Sequence, residues 1–219
     1  MNLGVNYFDN KGKYFSKYFI NENVSLIHYF FLPENNSNLS ASLYLSKYIS
    51  FLESKMSIST NYTIYQYNNI INNSVLRDNI GEILNANFGF STAFSIPFNF
   101  SNEFSYSRML SKNTESEAYT INSLENLFEI SIKFSKYSFV TITTDYVLPN
   151  IKNKQNAYLF LDLLFDLLTK NKKWEYTVSA NNLLNKNNFE QIQTSDYSIY
   201  SSKTSILQRH FMLSISYNF

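Results

Sequence analysis

Residues Leu207–Phe219 read LQRHFMLSISYNF. Leu207, Arg209, Phe211, Leu213, Ile215, Tyr217 and Phe219 share one parity, and Gln208, His210, Met212, Ser214, Ser216 and Asn218 share the other. Successive side chains of an extended strand point to opposite faces, so this spacing predicts a strand with one apolar and one polar face. A tilted strand crossing a bilayer needs about 9–11 residues, with apolar side chains toward lipid and polar ones toward a lumen. A segment of this length that closes on an aromatic residue fits that requirement.

The same period recurs upstream. Leu39, Ala41, Leu43 and Leu45 alternate with Ser40, Ser42, Tyr44 and Ser46, and Met56, Ile58, Thr60, Tyr62 and Ile64 alternate with Ser57, Ser59, Asn61, Thr63 and Tyr65. Leu84 to Phe94, Phe98 to Ser107, Leu124 to Ser135, Val140 to Leu148 and Trp174 to Asn181 repeat it. Turn chemistry separates them: Ile96-Pro97, Lys136-Tyr137 and Lys170–Lys173 read as tight turns, and Asn68–Asn79, Ser111–Ala118 and Pro149–Asn156 as loops. Tyr158–Leu168 is apolar on both faces and is expected as a strand. A helix is its rival, because Asp162 and Asp166 stand four apart and would share a helical face. About ten strands follow Leu39, and Leu3–Phe8 and Val24–Leu32 add two. Connections alternate between short (Pro97, Lys136, Lys170) and longer (Asn72, Lys112, Asn153, Ser201), as expected of a barrel with tight turns at one rim and loops at the other.

Composition agrees. The chain has 219 residues, with 20 Phe, 18 Tyr and a charged fraction of 16%. A soluble surface ordinarily carries more charge than that. Mean hydropathy is −0.25, which suits a wall whose second face is polar. No stretch reaches the roughly 18 uninterrupted apolar residues of a helical span. The net charge of +1 gives no electrostatic footprint for nucleic acid. Cysteine is absent, which excludes disulfides, thiol catalysis and cysteine-ligated metals. Met1–Tyr18 lacks the apolar core and cleavage site of a secretory signal, so the sequence is expected to be the back part of a longer exported chain.

Asn181-Asn182-Leu183-Leu184-Asn185, then Phe189, a loop, Leu207-Gln208-Arg209 and the terminal alternating strand form a recognisable ending. It resembles the C-terminal barrel region of TonB-dependent outer-membrane receptors of the Bacteroidetes type, the SusC-like group. Leu45–Met56 (LSKYISFLESKM) is similar to a hairpin of that family. Gln208 stands where the family has Pro or Gly. The resemblance implies an all-β, antiparallel transmembrane β-barrel with about 10–12 strands in this chain, residues 1–219, within a larger barrel of about 22 strands. It implies nutrient uptake across the outer membrane, with this chain as barrel wall and pore lining and no enzymatic activity. It also implies that Leu213, Ile215, Tyr217 and Phe219 form the signal read by the barrel-assembly machinery. Outer-membrane lipid and a surface lipoprotein are its further partners. TonB would engage only through a plug domain that has no counterpart here. The alternative is a self-contained small outer-membrane barrel, a porin or adhesin. A third reading is a soluble β-sandwich with the apolar faces turned inward.

The residues themselves offer no catalytic, cofactor or metal pattern. His28 and His210 lie almost a chain length apart, and no nucleophile-elbow, phosphate-loop or HExxH motif occurs. Parity places Glu125, Glu129, Lys133, Asp162, Asp166 and His210 on the polar, lumenal side, with the two aspartates expected to pair with Lys133 or an arginine. Phe94, Phe98, Tyr106, Tyr146, Trp174, Tyr217 and Phe219 are expected near strand ends on the apolar side, as an aromatic girdle.

Overall fold

The computed structural model describes residues 2–21, 24–72, 74–114, 116–152, 156–194 and 199–218. The chain is all-β: β1 (Asn2–Asn21), β2 (Val24–Ile49), β3 (Ser54–Ile71), β4 (Arg77–Thr92), β5 (Phe98–Asn113), β6 (Ser116–Ser135), β7 (Ser138–Leu148), β8 (Tyr158–Leu168), β9 (Trp174–Asn181), β10 (Asn188–Thr194), β11 (Ile199–Ser205) and β12 (His210–Tyr217). One 3-10 turn, Ser50–Leu52, joins β2 to β3. Ten strands form one sheet in the order β1-β2-β3-β4-β5-β6-β7-β8-β9-β12, each antiparallel to its neighbours, and β10 and β11 form a separate hairpin. Among the described residues the sheet is open, with β1 and β12 as its edges.

The alternation is realised in the register. Directly paired residues share a face, so the apolar side is traced by Leu3, Leu43, Thr60, Ala86, Tyr106, Leu124 and Leu148 across seven strands. A second row runs Phe98, Ile132, Val140, Phe165, Val178 and Leu213. The opposite side is traced by Tyr44, Ser59, Asn87, Ser105, Glu125, Val147 and Tyr158. Slipping any strand by one residue would exchange these two sets, which is what holds the register.

Among the described residues no second layer of strands packs on the apolar side. Phe211 is 70% exposed, Leu213 65% and Ile215 54%. Among the described residues the buried apolar side chains are Ile121, Leu148 and Ala180. The accessible surface is 14475 Å². A compact monomer of 25.7 kDa would expose about 10,400 Å², so about 4,000 Å² of extra surface remains open.

The strands are also staggered. Ala180, six residues beyond Trp174 at the base of β9, begins a row through Leu163, Ile142, Ile130 and Phe100. Phe100 bonds Thr92, which pairs with Ser54, and Ser54 pairs with Ile49 at the base of the β2–β3 hairpin. The tight-turn rim therefore climbs by six residues across eight strands. Oblique stagger of this kind accompanies strand tilt in barrels.

Several expected boundaries move. Val24–Leu32 and Leu39–Ser46 belong to one continuous strand, β2, because β1 pairs with it from Val24 to Tyr44. Asn68–Ile71 and Arg77–Asn79 are strand, so the loop there shrinks to 72–76. Ser111–Ala118 is largely ladder rather than loop, since Asn113 pairs directly with Ser116. Polar residues on both parities hid these extensions, and in the β3–β4 extension side chains reinforce the ladder: Asn69 Oδ1 accepts from Asn79 Nδ2 at 2.9 Å and from the Arg77 guanidinium at 3.0 Å. Tyr106 consequently lies inside β5, away from its end. The terminal strand begins at His210 rather than Leu207. Tyr158–Leu168 is a strand, bonded on one side to β7 and on the other to β9. Above Asn36 the β1–β2 ribbon coils over, so that Lys17 and Tyr18 pair in parallel with Ile70 and Ile71 of β3. Asn72 clamps it: its N–H donates to the Tyr18 carbonyl at 2.6 Å, and its Oδ1 accepts from the Ile20 N–H at 2.8 Å.

Candidate functional site on the polar face

The polar face carries the feature that sequence reading missed. Residues 182–194 and 199–209, between β9 and β12, fold back over the sheet and place the β10–β11 hairpin on it. The Phe189 ring sits edge-on to Tyr158 at 5.1 Å and lies 6.5 Å from Phe160. The Glu190 N–H donates to the Tyr158 hydroxyl at 3.1 Å. The Glu190 carboxylate accepts from Asn156 Nδ2 at 2.9 Å and from Ser201 Oγ at 2.5 Å.

The Asn182–Asn185 motif is the hinge that turns the chain inward. Both asparagines are left-handed, with φ of 52° and 54°. Asparagine tolerates that conformation better than most residues because its short amide bonds nearby backbone. Asn182 is buried. Its Nδ2 donates to the carbonyls of Lys186 at 2.6 Å and Leu207 at 3.0 Å, and its Oδ1 accepts from the Lys186 N–H at 2.8 Å. Its own N–H donates to Asp162 Oδ1 at 2.6 Å, and Asn185 Oδ1 accepts from the Arg209 N–H at 3.1 Å. One side chain thus ties the two ends of the excursion together.

Among the described residues, cavities lie between hairpin and sheet, two of which share Glu125. The larger, about 700 Å³, is walled by Glu125, Asp145, Val147 and Phe160 from the sheet and by Phe189, Gln191 and Thr204–Leu207 from the hairpin and its return. The smaller, about 280 Å³, shares Glu125 and adds Glu190, Ile192 and Met109. Asp145 is close enough to Glu125 and Asp162 for their charges to interact. Its Oδ1 is shielded from solvent and has no hydrogen-bond partner. Among the described residues no group of three or more acidic or histidine side chains is arranged to hold a metal ion.

The expected polar-side residues all fall on this face by register: Glu129 pairs with Thr143 and through it with Asp162, Lys133 pairs with Phe139 and through it with Asp166, and His210 pairs with Asn181. Only Glu125 lines the cavities. The aspartates do not take the expected basic partners. Asp166 accepts from Thr177 Oγ1 at 2.6 Å and Asp162 from the Asn182 backbone, while the Lys133 ammonium stands over the Phe139 ring at 5.8 Å. Neutral donors lie one strand away and reach the carboxylates at no desolvation cost to a second charge. His210 is held at both nitrogens: Nδ1 bonds the Gln208 carbonyl at 2.9 Å, and Nε2 meets Asn181 Nδ2 at 3.2 Å. The carbonyl can only accept, so Nδ1 donates to it. Leu213, Ile215 and Tyr217 lie on the exposed edge strand, and the Trp174 ring is 4.7 Å from Tyr217. Phe219 lies outside the described residues.

Asp145, Phe160 and Glu190 were not singled out in the sequence, and Phe189 entered there only as part of the terminal motif. Asp145 was legible from parity, since Thr143, Asp145 and Val147 alternate against Ile142, Thr144 and Tyr146. Glu190 was not, because the hairpin shows no clean period. No family model, curated protein or solved structure matches the chain.

Proposed function

We propose that this chain is a wall of an outer-membrane β-barrel, of the TonB-dependent receptor-like transporter type, with its polar face lining the pore. The observation that carries this reading is the uncovered apolar side. A Leu, Ile or Phe left in water forfeits about 1.5–3 kcal/mol of burial energy, and every main-sheet strand except β9, which carries Trp174, Tyr176 and Val178, presents at least one. Hydrocarbon is the occupant whose dimensions fit. Apolar parity on β6 runs from Leu124 to Phe134, interrupted by Asn126, and gives way to Asn122. That span is about 33 Å along the strand, or about 25 Å normal to a bilayer at a tilt near 40°, the height of a lipid-facing band. On β5 the band runs from Phe98 to Tyr106, with Arg108 beyond it at the level of the headgroups. Tyr106 is thereby a girdle residue although it is not at a strand end. The hairpin folded onto the polar face then occupies part of the lumen near the looped rim.

A second reading, a self-contained small barrel, is favoured by one observation. The sheet has an even number of strands, so its free edges run antiparallel to each other. Edge segments Asn2–Asp9 and His210–Tyr217 are both apolar on the same side and carry neither Lys nor Pro, the residues that usually protect edges. In either reading these edges must be paired, because unpaired backbone groups in hydrocarbon cost several kcal/mol each. The test of membrane residence is detergent dependence with gel mobility before and after boiling. A folded barrel shifts mobility on heating and requires detergent, whereas a monodisperse monomer in plain buffer would overturn the reading.

A further inference from the structure

The larger cavity under the β10–β11 hairpin has a lining that is chemically one-sided. Glu125 and Asp145 stand on its floor, and among the described residues no Lys or Arg lines it. The Asp145 Oδ1 that is shielded from water lacks a donor. A buried carboxylate oxygen ordinarily has one, and its absence marks a place for a donor from outside the chain. Val147, Phe160, Phe189, Ile206 and Leu207 supply apolar and aromatic walls, and Gln191, Thr204 and Ser205 supply neutral polar groups beside them. Phe160 is stacked on Tyr158 and Phe189 closes on both rings, so the aromatic wall is built by packing rather than by chance exposure. The hairpin that forms the roof is held by the Asn182 hinge and by Glu190. Of all cavities and clusters in the fold, this one combines volume, orphaned charge and ordered rings.

We infer that this cavity binds an organic cation: a primary ammonium group seated between Asp145 and Glu125, with an apolar or aromatic body against Phe160 and Phe189. A divalent metal is a poor fit, because among the described residues no group of three or more acidic or histidine side chains is arranged to hold one. An ammonium supplies three N–H donors that can serve both, and ring faces attract its charge. The pocket belongs to the fold itself, and the transporter reading supplies only its setting, an uptake path for amine-bearing solutes.

The test is titration of the full chain, refolded in detergent, with phenethylammonium as probe, 2-phenylethanol as its uncharged isostere and calcium as a competing cation, followed by calorimetry or saturation-transfer NMR. Binding of phenethylammonium at least tenfold tighter than the alcohol is expected. Asp145→Asn and Glu125→Gln should each weaken it at least tenfold, while Glu103→Gln, on the same face but outside the cavity, leaves it unchanged. Asp145→Asn removes charge from an atom that has no intramolecular partner, so the strand ladder should survive it, and far-ultraviolet circular dichroism checks this. Equal affinity for the alcohol, displacement by calcium, or indifference to both substitutions overturns the proposal. Heat-modifiable mobility on the same samples is read separately: a chain that behaves as a barrel without binding the amine refutes only this inference, and one that binds the amine without barrel behaviour refutes only the membrane reading.

Discussion

Replacing Asn182 by alanine should release the inward-folded hairpin while leaving the main sheet intact. Asn182 makes three side-chain hydrogen bonds, to the Lys186 carbonyl and N–H and to the Leu207 carbonyl. Each is worth about 1 kcal/mol net, and the partners left unsatisfied in a buried site push the sum toward the upper end, about 3 kcal/mol. Alanine at a φ of 52° adds about 1 kcal/mol of backbone strain that asparagine largely escapes. The total of about 4 kcal/mol corresponds to a change of roughly a thousandfold in the local opening equilibrium. Hydrogen exchange measured by mass spectrometry on the refolded protein reads this directly. Amides of 186–194 and 203–207 should exchange about a thousandfold faster in Asn182→Ala, with β4–β7 unchanged. Asn182→Gly keeps the left-handed backbone and should recover about 1 kcal/mol of the loss. Exchange within threefold of the parent across 186–207 in the alanine variant would refute the hinge role.

Further outcomes follow from other parts of the sheet. Gly81→Ala should cost about 1–3 kcal/mol by equilibrium unfolding, because an added Cβ would meet the Tyr65 ring at 2.1 Å, and a paired Tyr65→Ala change should restore most of it. Ile130→Lys should lower folding stability in lipid vesicles by about 2–4 kcal/mol, as expected for a charge on a lipid-facing position near mid-bilayer, whereas Ser131→Lys should change it by less than about 1 kcal/mol. Equal penalties at the two sites would remove the basis for assigning faces. Because the chain has no cysteine, the pair Val5→Cys and Ile215→Cys can report on closure without background. Rapid oxidative cross-linking supports the self-contained barrel, and free thiols in a folded, detergent-embedded protein support pairing of both edges with other strands.

What was readable in the sequence was whatever local alternation controls. Leu213, Ile215 and Tyr217, or Phe128, Ile130 and Ile132, sit where period two placed them, because one face of each strand is apolar and a register slip would invert it. The polar-side charges were placed by the same logic. Three things escaped it. Strand extensions such as Ser111–Asn113 and Asn68–Asn69 are polar on both sides, so no alternation in their side chains announces the backbone pairing. The partners of Asp162 and Asp166 depend on strands that lie next to β8 in space, and on the backbone of Asn182, which no spacing rule reveals. The inward hairpin is set by contacts of Phe189 and Glu190 with residues about thirty positions away, Tyr158 and Asn156. The Asn182–Asn185 pair was legible as a motif, but its role as a hinge required the geometry of its four backbone partners.

The most direct measurement is a nitroxide scan of single cysteines from Glu125 to Phe134 in lipid vesicles, reading collision rates with oxygen, which concentrates in hydrocarbon, and with a water-soluble nickel chelate. If the apolar side of the sheet faces lipid, oxygen accessibility peaks at Phe128, Ile130 and Ile132, and nickel accessibility peaks at Glu129, Ser131 and Lys133. The opposite phase, or low oxygen and low nickel at Phe128, Ile130 and Ile132 together, would mean that another protein layer covers this side and would contradict the membrane-wall assignment.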